Sequence, residues 1–142
     1  EMTIDKAALA VCAEAVGAME MSLTKTVEYS KIRKQFKVTL STFQALQHRM
    51  ANMFIELAQA KSILLMAAME MDSLSGRAPK AVSAAKSRIG KAARLVGEES
   101  IQIHGGIGVT DELDVGHYFK RLTAIQFLFG STDHHTARFA AS

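Results

Sequence analysis

From Phe43 to Met71 apolar residues recur at three- and four-residue steps: Phe43, Leu46, Met50, Met53, Phe54, Leu57, Ala60, Leu64, Ala67 and Met71. A helical period kept for about thirty residues, with no proline or glycine inside it, describes one long helix whose apolar stripe must be covered by other helices. That length points to a bundle. Methionine at this spacing fills core gaps, so Met50, Met53, Met66 and Met69 are read as core. Ser41 or Thr42 is placed to cap the start. The stretch Ser73-Leu74-Ser75-Gly76-Arg77 ends it, with Gly76 suited to a left-handed C-cap and Pro79 tolerated in the first turn of the next helix.

The flanking segments carry the same period. Ile4, Ala7, Ala8, Val11, Ala15, Ala18, Met19, Leu23 and Val27 mark a first helix, with Thr3 or Asp5 placed to cap it. Residues 33 to 40 break that pattern, and Val38-Thr39-Leu40 is too short a β-prone run to build a sheet, so the segment reads as a connector. A third helix runs from about Pro79 to Ile103 through Val82, Ala85, Ile89, Ala92 and Val96, with Lys80, Lys86, Arg88, Lys91 and Arg94 as a solvated basic face. After a glycine turn, Asp114 is placed to cap a fourth helix from about Val115, broken near Gly130 and resuming through His135 to Ala140. The expected fold is all-α: an antiparallel up-down four-helix bundle with connectors near 34–41, 73–78 and 105–113. One proline, two tyrosines and no tryptophan in 142 residues agree with helix over sheet, and 49% apolar content suits one domain with a continuous core.

Several function classes drop out. Net charge is +3 and the pI about 9.1, but the 17 basic residues are interleaved with 14 acidic ones and never form a run, so nucleic acid is not indicated. No membrane span and no signal peptide are read. A lone Cys12 in an apolar setting excludes an intrachain disulfide, reads as a small buried hydrophobe and suits a reducing compartment. No Glu has His three residues later, which removes a carboxylate-bridged di-iron bundle. His134 and His135 point about 100° apart on a helix and cannot share one metal, so they are read as solvated or capping. The chain opens on Glu1 rather than Met, and a longer protein is expected.

One stretch forgoes packing for backbone freedom: Gln102-Ile103-His104-Gly105-Gly106-Ile107-Gly108. Bare glycine backbone permits positive φ and close approach of an anion such as a phosphate. It keeps company with Arg33-Lys34-Gln35-Phe36 upstream, whose fork-shaped cation suits the same ligand, and with Gly130-Ser131-Thr132 downstream.

Tyr29, Arg33-Lys34-Gln35-Phe36, Phe43-Gln44, Lys86, the Gln102 to Gly108 turn, Glu112 and the late Gly130-Ser131 together resemble, in order and spacing, the C-terminal helical domain of the acyl-CoA dehydrogenases. In that family the domain follows an N-terminal helical domain and a β-barrel domain, neither of which this chain contains. The resemblance implies α,β-dehydrogenation of an acyl-CoA thioester by the full-length protein, in a bacterial cytoplasm or a mitochondrial matrix. It implies that Arg33, Gln35 and Phe36 reach the FAD of a neighbouring subunit, that Gln102, Gly105 and Gly106 line the same dinucleotide, and that Ser131 keeps the hydroxyl beside the cofactor. A homo-oligomer, or a hetero-oligomer with a sister subunit, is expected with it. Exposed Ala and Met faces on long helices point to self-association as well.

The catalytic base does not follow. The family carries a Glu immediately before the late glycine, or in some members near the start of the first helix; here those positions hold Phe129 and Ala7, and neither accepts a proton. Asp133, one helical turn on, is the nearest carboxylate. Lys37 also replaces the glycine that usually follows Phe36, which bears on the local turn. Two readings follow: an FAD-contacting domain of a dehydrogenase, or a non-catalytic partner subunit that keeps the flavin contact.

Overall fold

The structure is a computed structural model that describes residues 2–73 and 76–142. Five helices form it: α1 (Met2–Ile32), α2 (Gln44–Asp72), α3 (Ala78–His104), α4 (Val115–Ile125) and α5 (Thr132–Ala140). The three long helices and α4 make the bundle, and α5 is the resumed part of the fourth helix beyond Gly130. α3 is the central element, packed against the other four. Its small residues Ala81, Ala85, Ala92 and Ala93 let neighbours approach, while Val82, Ile89 and Val96 fill the space between. From α1, Ala8, Cys12, Ala15 and Met19 are fully buried in the same core.

α1 is long and apolar enough, by length and composition, to cross a membrane, with a mean hydropathy of 1.3 over its most apolar stretch. Its inward stripe is instead spent on α2, α3 and α4. The Cys12 thiol is pushed up to about 12 by burial, so it is inert as a nucleophile.

Residues 34–41 contain a two-stranded hairpin, β1 (Lys34–Gln35) and β2 (Val38–Thr39), antiparallel with Lys34 opposite Thr39 and Gln35 opposite Val38. Its two turn residues, Phe36 at φ 52° and Lys37 at φ 68°, both lie in the left-handed region, as a tight two-residue hairpin demands. Lys37 thus takes the glycine-like geometry without being glycine.

Several expectations are corrected. Asp5 does not cap α1; it is buried and paired with Arg138 of α5 at 2.6 Å, and α1 already includes Thr3. Ser41 and Thr42 are absorbed in a 3₁₀ turn (Leu40–Thr42), which leaves Phe43 at the N-cap of α2 without a side-chain bond. Asp114 sits at the N-cap of α4 but spends its carboxylate on Lys25, 2.9 Å away. Gly76 has φ 78°, as a left-handed position requires, although α2 ends at Asp72 with Ser73 as its C-cap; Leu74 and Ser75 lie outside the described residues. Met53 is fully buried, whereas Met66 and Met69 are 42% and 63% exposed, because the chain itself covers only one face of α2.

Candidate functional site

α1 ends where the hairpin begins, and Arg33 stands at that junction. Its backbone is pinned on both sides: Arg33 N–H donates to Tyr29 O at 2.9 Å, and Leu40 N–H donates to Arg33 O at 2.9 Å. Opposite it α3 stops at His104, because Gly105 takes φ 68° and folds its own N–H back onto the last carbonyls of the helix. Between the two lies a cavity of about 400 Å³ lined by Tyr29, Arg33, Gln35 and Leu40 on one side and by Ile103, His104, Gly105, Gly106 and Ile107 on the other. No carboxylate among the described residues lines it.

The electrostatics of Arg33 distinguish this place from the rest of the surface. The other six arginines each pair with a carboxylate: Arg49 with Glu99, Arg77 with Glu70, Arg88 with Glu56, Arg94 with Glu98, Arg121 with Glu14 and Arg138 with Asp5. Among the described residues Arg33 pairs with none. An unpaired guanidinium beside glycine backbone that carries no side chain is a receptor for an anion, and its planar fork matches a phosphate.

The glycines carry the same message. Gly105 needs its positive φ, but Gly106 has neither a positive φ nor any atom within 4 Å of where a Cβ would stand. Nothing in the chain's own packing asks for glycine at 106; the open space beside it does.

Beneath the turn, Tyr29 and His104 stack with ring centroids 4.4 Å apart, and Tyr29 O–H donates to His104 O at 3.3 Å. His104 Nδ1 donates to Ser100 O at 2.7 Å, which fixes the neutral tautomer, and burial holds its pKa below the ordinary histidine value. This pair sets the floor of the cavity. Both residues stand inside the motifs of the sequence, but a neutral stacked pair carries no charge to mark it as part of an anion site.

Of the residues expected at the site, Arg33, Gln35, Gly105 and Gly106 are brought together. Gln102 is exposed on the last turn of α3, and Phe36, 89% exposed at the hairpin tip, stands edge-on to Phe43; neither lines the cavity. Ser131 is elsewhere. It is the N-cap of α5, accepting from His134 N–H at 3.2 Å, and the neighbouring Thr132 lies against Gly90 of α3. Gly90 and Gly105 are separated by about 22 Å along the helix at 1.5 Å per residue, so Ser131 cannot touch an anion held by Arg33.

At that second place Lys86 and His135 overturn their expected exposure. Lys86 is 1% exposed, and its ammonium donates to Ile125 O at 2.9 Å, Gly130 O at 3.0 Å and Gln126 O at 3.3 Å. Burial lowers its pKa. His135 is buried against Phe129 O and Ser83. Phe129 itself is 46% exposed with φ 57°, Ala7 is half-buried on α1, and Asp133 is exposed in the first turn of α5. No group of three or more metal-ligating side chains occurs among the described residues.

With that geometry in view, the comparisons with known proteins agree on one family. A family model described as acyl-CoA dehydrogenase, C-terminal domain, matches residues 1–142. The acyl-CoA dehydrogenase IpdE2 of Mycolicibacterium smegmatis is 41% identical over 128 residues, covering 89% of this chain and 39% of that protein. Butyryl-CoA dehydrogenase from Megasphaera elsdenii superposes with a TM-score of 0.93 at 28% identity, over 99% of this chain and 36% of its own. The ChsE4–ChsE5 complex from Mycobacterium tuberculosis gives 0.92 at 26% identity, over 97% and 37%. This chain therefore spans only 36% to 39% of the length of these three relatives.

Proposed function

This chain belongs to the acyl-CoA dehydrogenase family, as its C-terminal helical domain, and from that premise we propose that it holds the diphosphate of FAD at a subunit boundary while supplying no catalytic base of its own. The observation that carries the reading is the unpaired Arg33 facing the bare Gly105-Gly106 backbone across a cavity without carboxylates. These groups fit a dinucleotide: the guanidinium would take phosphate oxygens bidentately, and the glycine turn, bare of side chains, would let the diphosphate come close. Gln35 and Phe36, on the hairpin, and Gln102, at the end of α3, flank the cavity and suit the adenosine end. Ser131, beside the middle of α3, would meet a different part of the cofactor. FAD held there would supply the hydride acceptor for dehydrogenation of an acyl-CoA thioester by the full-length protein.

The α-proton of that thioester needs a base, and Phe129 and Ala7 cannot take it. A second reading is favoured by this alone: the chain belongs to a partner subunit whose sister chain supplies the base; the ChsE4–ChsE5 structure that this chain resembles is a complex of two chains. Phe54, Leu65 and Met69, each more than 60% exposed on α2, support assembly into a homo- or hetero-oligomer. The reading places the full-length protein in a reducing compartment.

The test uses the full-length protein. Its flavin absorbance is recorded with and without a panel of acyl-CoA thioesters, beside Phe129→Glu. The variant is expected to keep its flavin and to raise α-proton exchange on the thioester, since a general base typically contributes ~10²–10⁴-fold. Rapid dehydrogenation by the unmutated homo-oligomer, abolished by changing a carboxylate within residues 1–142, would overturn it.

A further inference from the structure

The α4–α5 corner holds a bulky residue in a conformation it should avoid. Phe129 has φ 57°, costly for any side chain with a Cβ, and its ring is half exposed, so no burial of the ring repays the strain. Gly130 follows at φ 106°, and a Cβ there would stand 2.7 Å from the rings of both His134 and His135. Such a corner persists only where its surroundings fix it from several sides.

The fixing groups are buried and fully used. Lys86 has three ammonium hydrogens and three carbonyl partners, Ile125 O, Gln126 O and Gly130 O, all at the C-terminal end of α4 or in the corner. A cation there completes the unpaired carbonyls of the helix end and faces its negative pole. On the other side His135 Nε2 lies 2.9 Å from Phe129 O, an acceptor only, so Nε2 carries the hydrogen. Nδ1 must then accept, and Ser83 O–H donates to it at 3.3 Å. Ser83 Oγ in turn accepts from Arg138 at 3.2 Å, and Arg138 is locked to the buried carboxylate of Asp5. One polar chain therefore runs from α1 through α5 and α3 to the carbonyl of residue 129.

We infer that Lys86 and His135 are positioning residues, a two-sided clamp that sets the backbone of residue 129 and so presents its side chain outward at a fixed place. That this place adjoins the acyl group rests on the function proposed above; the clamp itself rests on the geometry of the corner. It also means that the corner is preorganised for whatever side chain stands at 129.

A fluorine reporter separates the two claims, because it needs neither flavin nor substrate. Phe129 is replaced by 4-trifluoromethylphenylalanine in the full-length protein, and its single ¹⁹F line is followed in three backgrounds. His135→Gln keeps a donor near the Nε2 position and is expected to leave one line of unchanged width. His135→Leu fills similar space without a donor and is expected to split or broaden it, as is Lys86→Met. If Lys86→Met fails to fold, the two His135 variants decide. A line equally sharp, or equally disturbed, in His135→Gln and His135→Leu would overturn the clamp, since packing alone would then account for His135.

Discussion

At its C-terminal end α3 runs into open space, with Gly105 and Gly106 bare and Arg33 across the gap holding an unpaired charge, whereas around its middle Lys86 and Gly90 lie so close under α4 and α5 that every ammonium hydrogen has a partner. The same helix thus carries one unsatisfied place and one fully satisfied place. The contrast teaches how to tell a binding site from a positioning device when both are polar. Unspent hydrogen-bonding capacity beside a cavity asks for a ligand, and capacity spent on backbone carbonyls fixes a conformation.

The sharpest way to break that comparison is to put the same methyl group at both places. Gly130→Ala meets two imidazole rings and loses a positive φ that only glycine holds cheaply, so it is expected to cost about 3 kcal/mol in urea unfolding. A milder effect distinguishes the two buried histidines from the exposed ones. Burial holds the pKa values of His104 and His135 below the ordinary 6.5, so the unfolded chain takes up protons that the folded chain refuses. Stability from this source is present above pH 6.5 and is lost as pH falls through the ordinary value toward the depressed ones. The pH dependence of the unfolding midpoint is expected to flatten in the His104→Gln, His135→Gln double variant; an unchanged slope would show that neither ring is buried neutral. The smallest effect is expected from Gly106→Ala, whose methyl meets no atom and needs no unusual φ: stability within ~0.5 kcal/mol of wild type, with weaker flavin retention. Equal losses of stability at 106 and 130 would erase the distinction between the two places.

Helix lengths and connectors were legible because a 3.6-residue period survives in any helix that packs on one side. Which stripes the fold covers was less so. Met66 and Met69 keep the same period as Met53, yet remain exposed because nothing in this chain lies over that face of α2. Lys86 falls in register with four other cations, and a period cannot tell a solvated lysine from one buried among carbonyls. The atoms that hold it are main-chain oxygens of residues 125, 126 and 130, which leave no mark in side-chain chemistry. Ser41 and Thr42 failed as caps because a 3₁₀ turn, closed by Thr42 donating to Thr39 O, used them first. At the site, charge and glycine content pointed to Arg33, Gly105 and Gly106, while Tyr29 and His104 became visible only through their stacking.

The central claim is that the charge of Arg33 is kept for an external diphosphate, and equilibrium titration of the flavin-free full-length protein with FAD tests it most directly, with Arg33→Ala set beside Arg121→Ala. Arg121 is paired with Glu14 on the exposed surface, where solvent screens such a bridge, and its loss is expected to leave the FAD Kd unchanged. Loss of a charged hydrogen-bond donor to phosphate is worth about 1.5–3 kcal/mol, so Arg33→Ala is expected to raise the Kd on the order of 10- to 100-fold. An Arg33→Ala protein that binds FAD as tightly as the wild type would contradict the account.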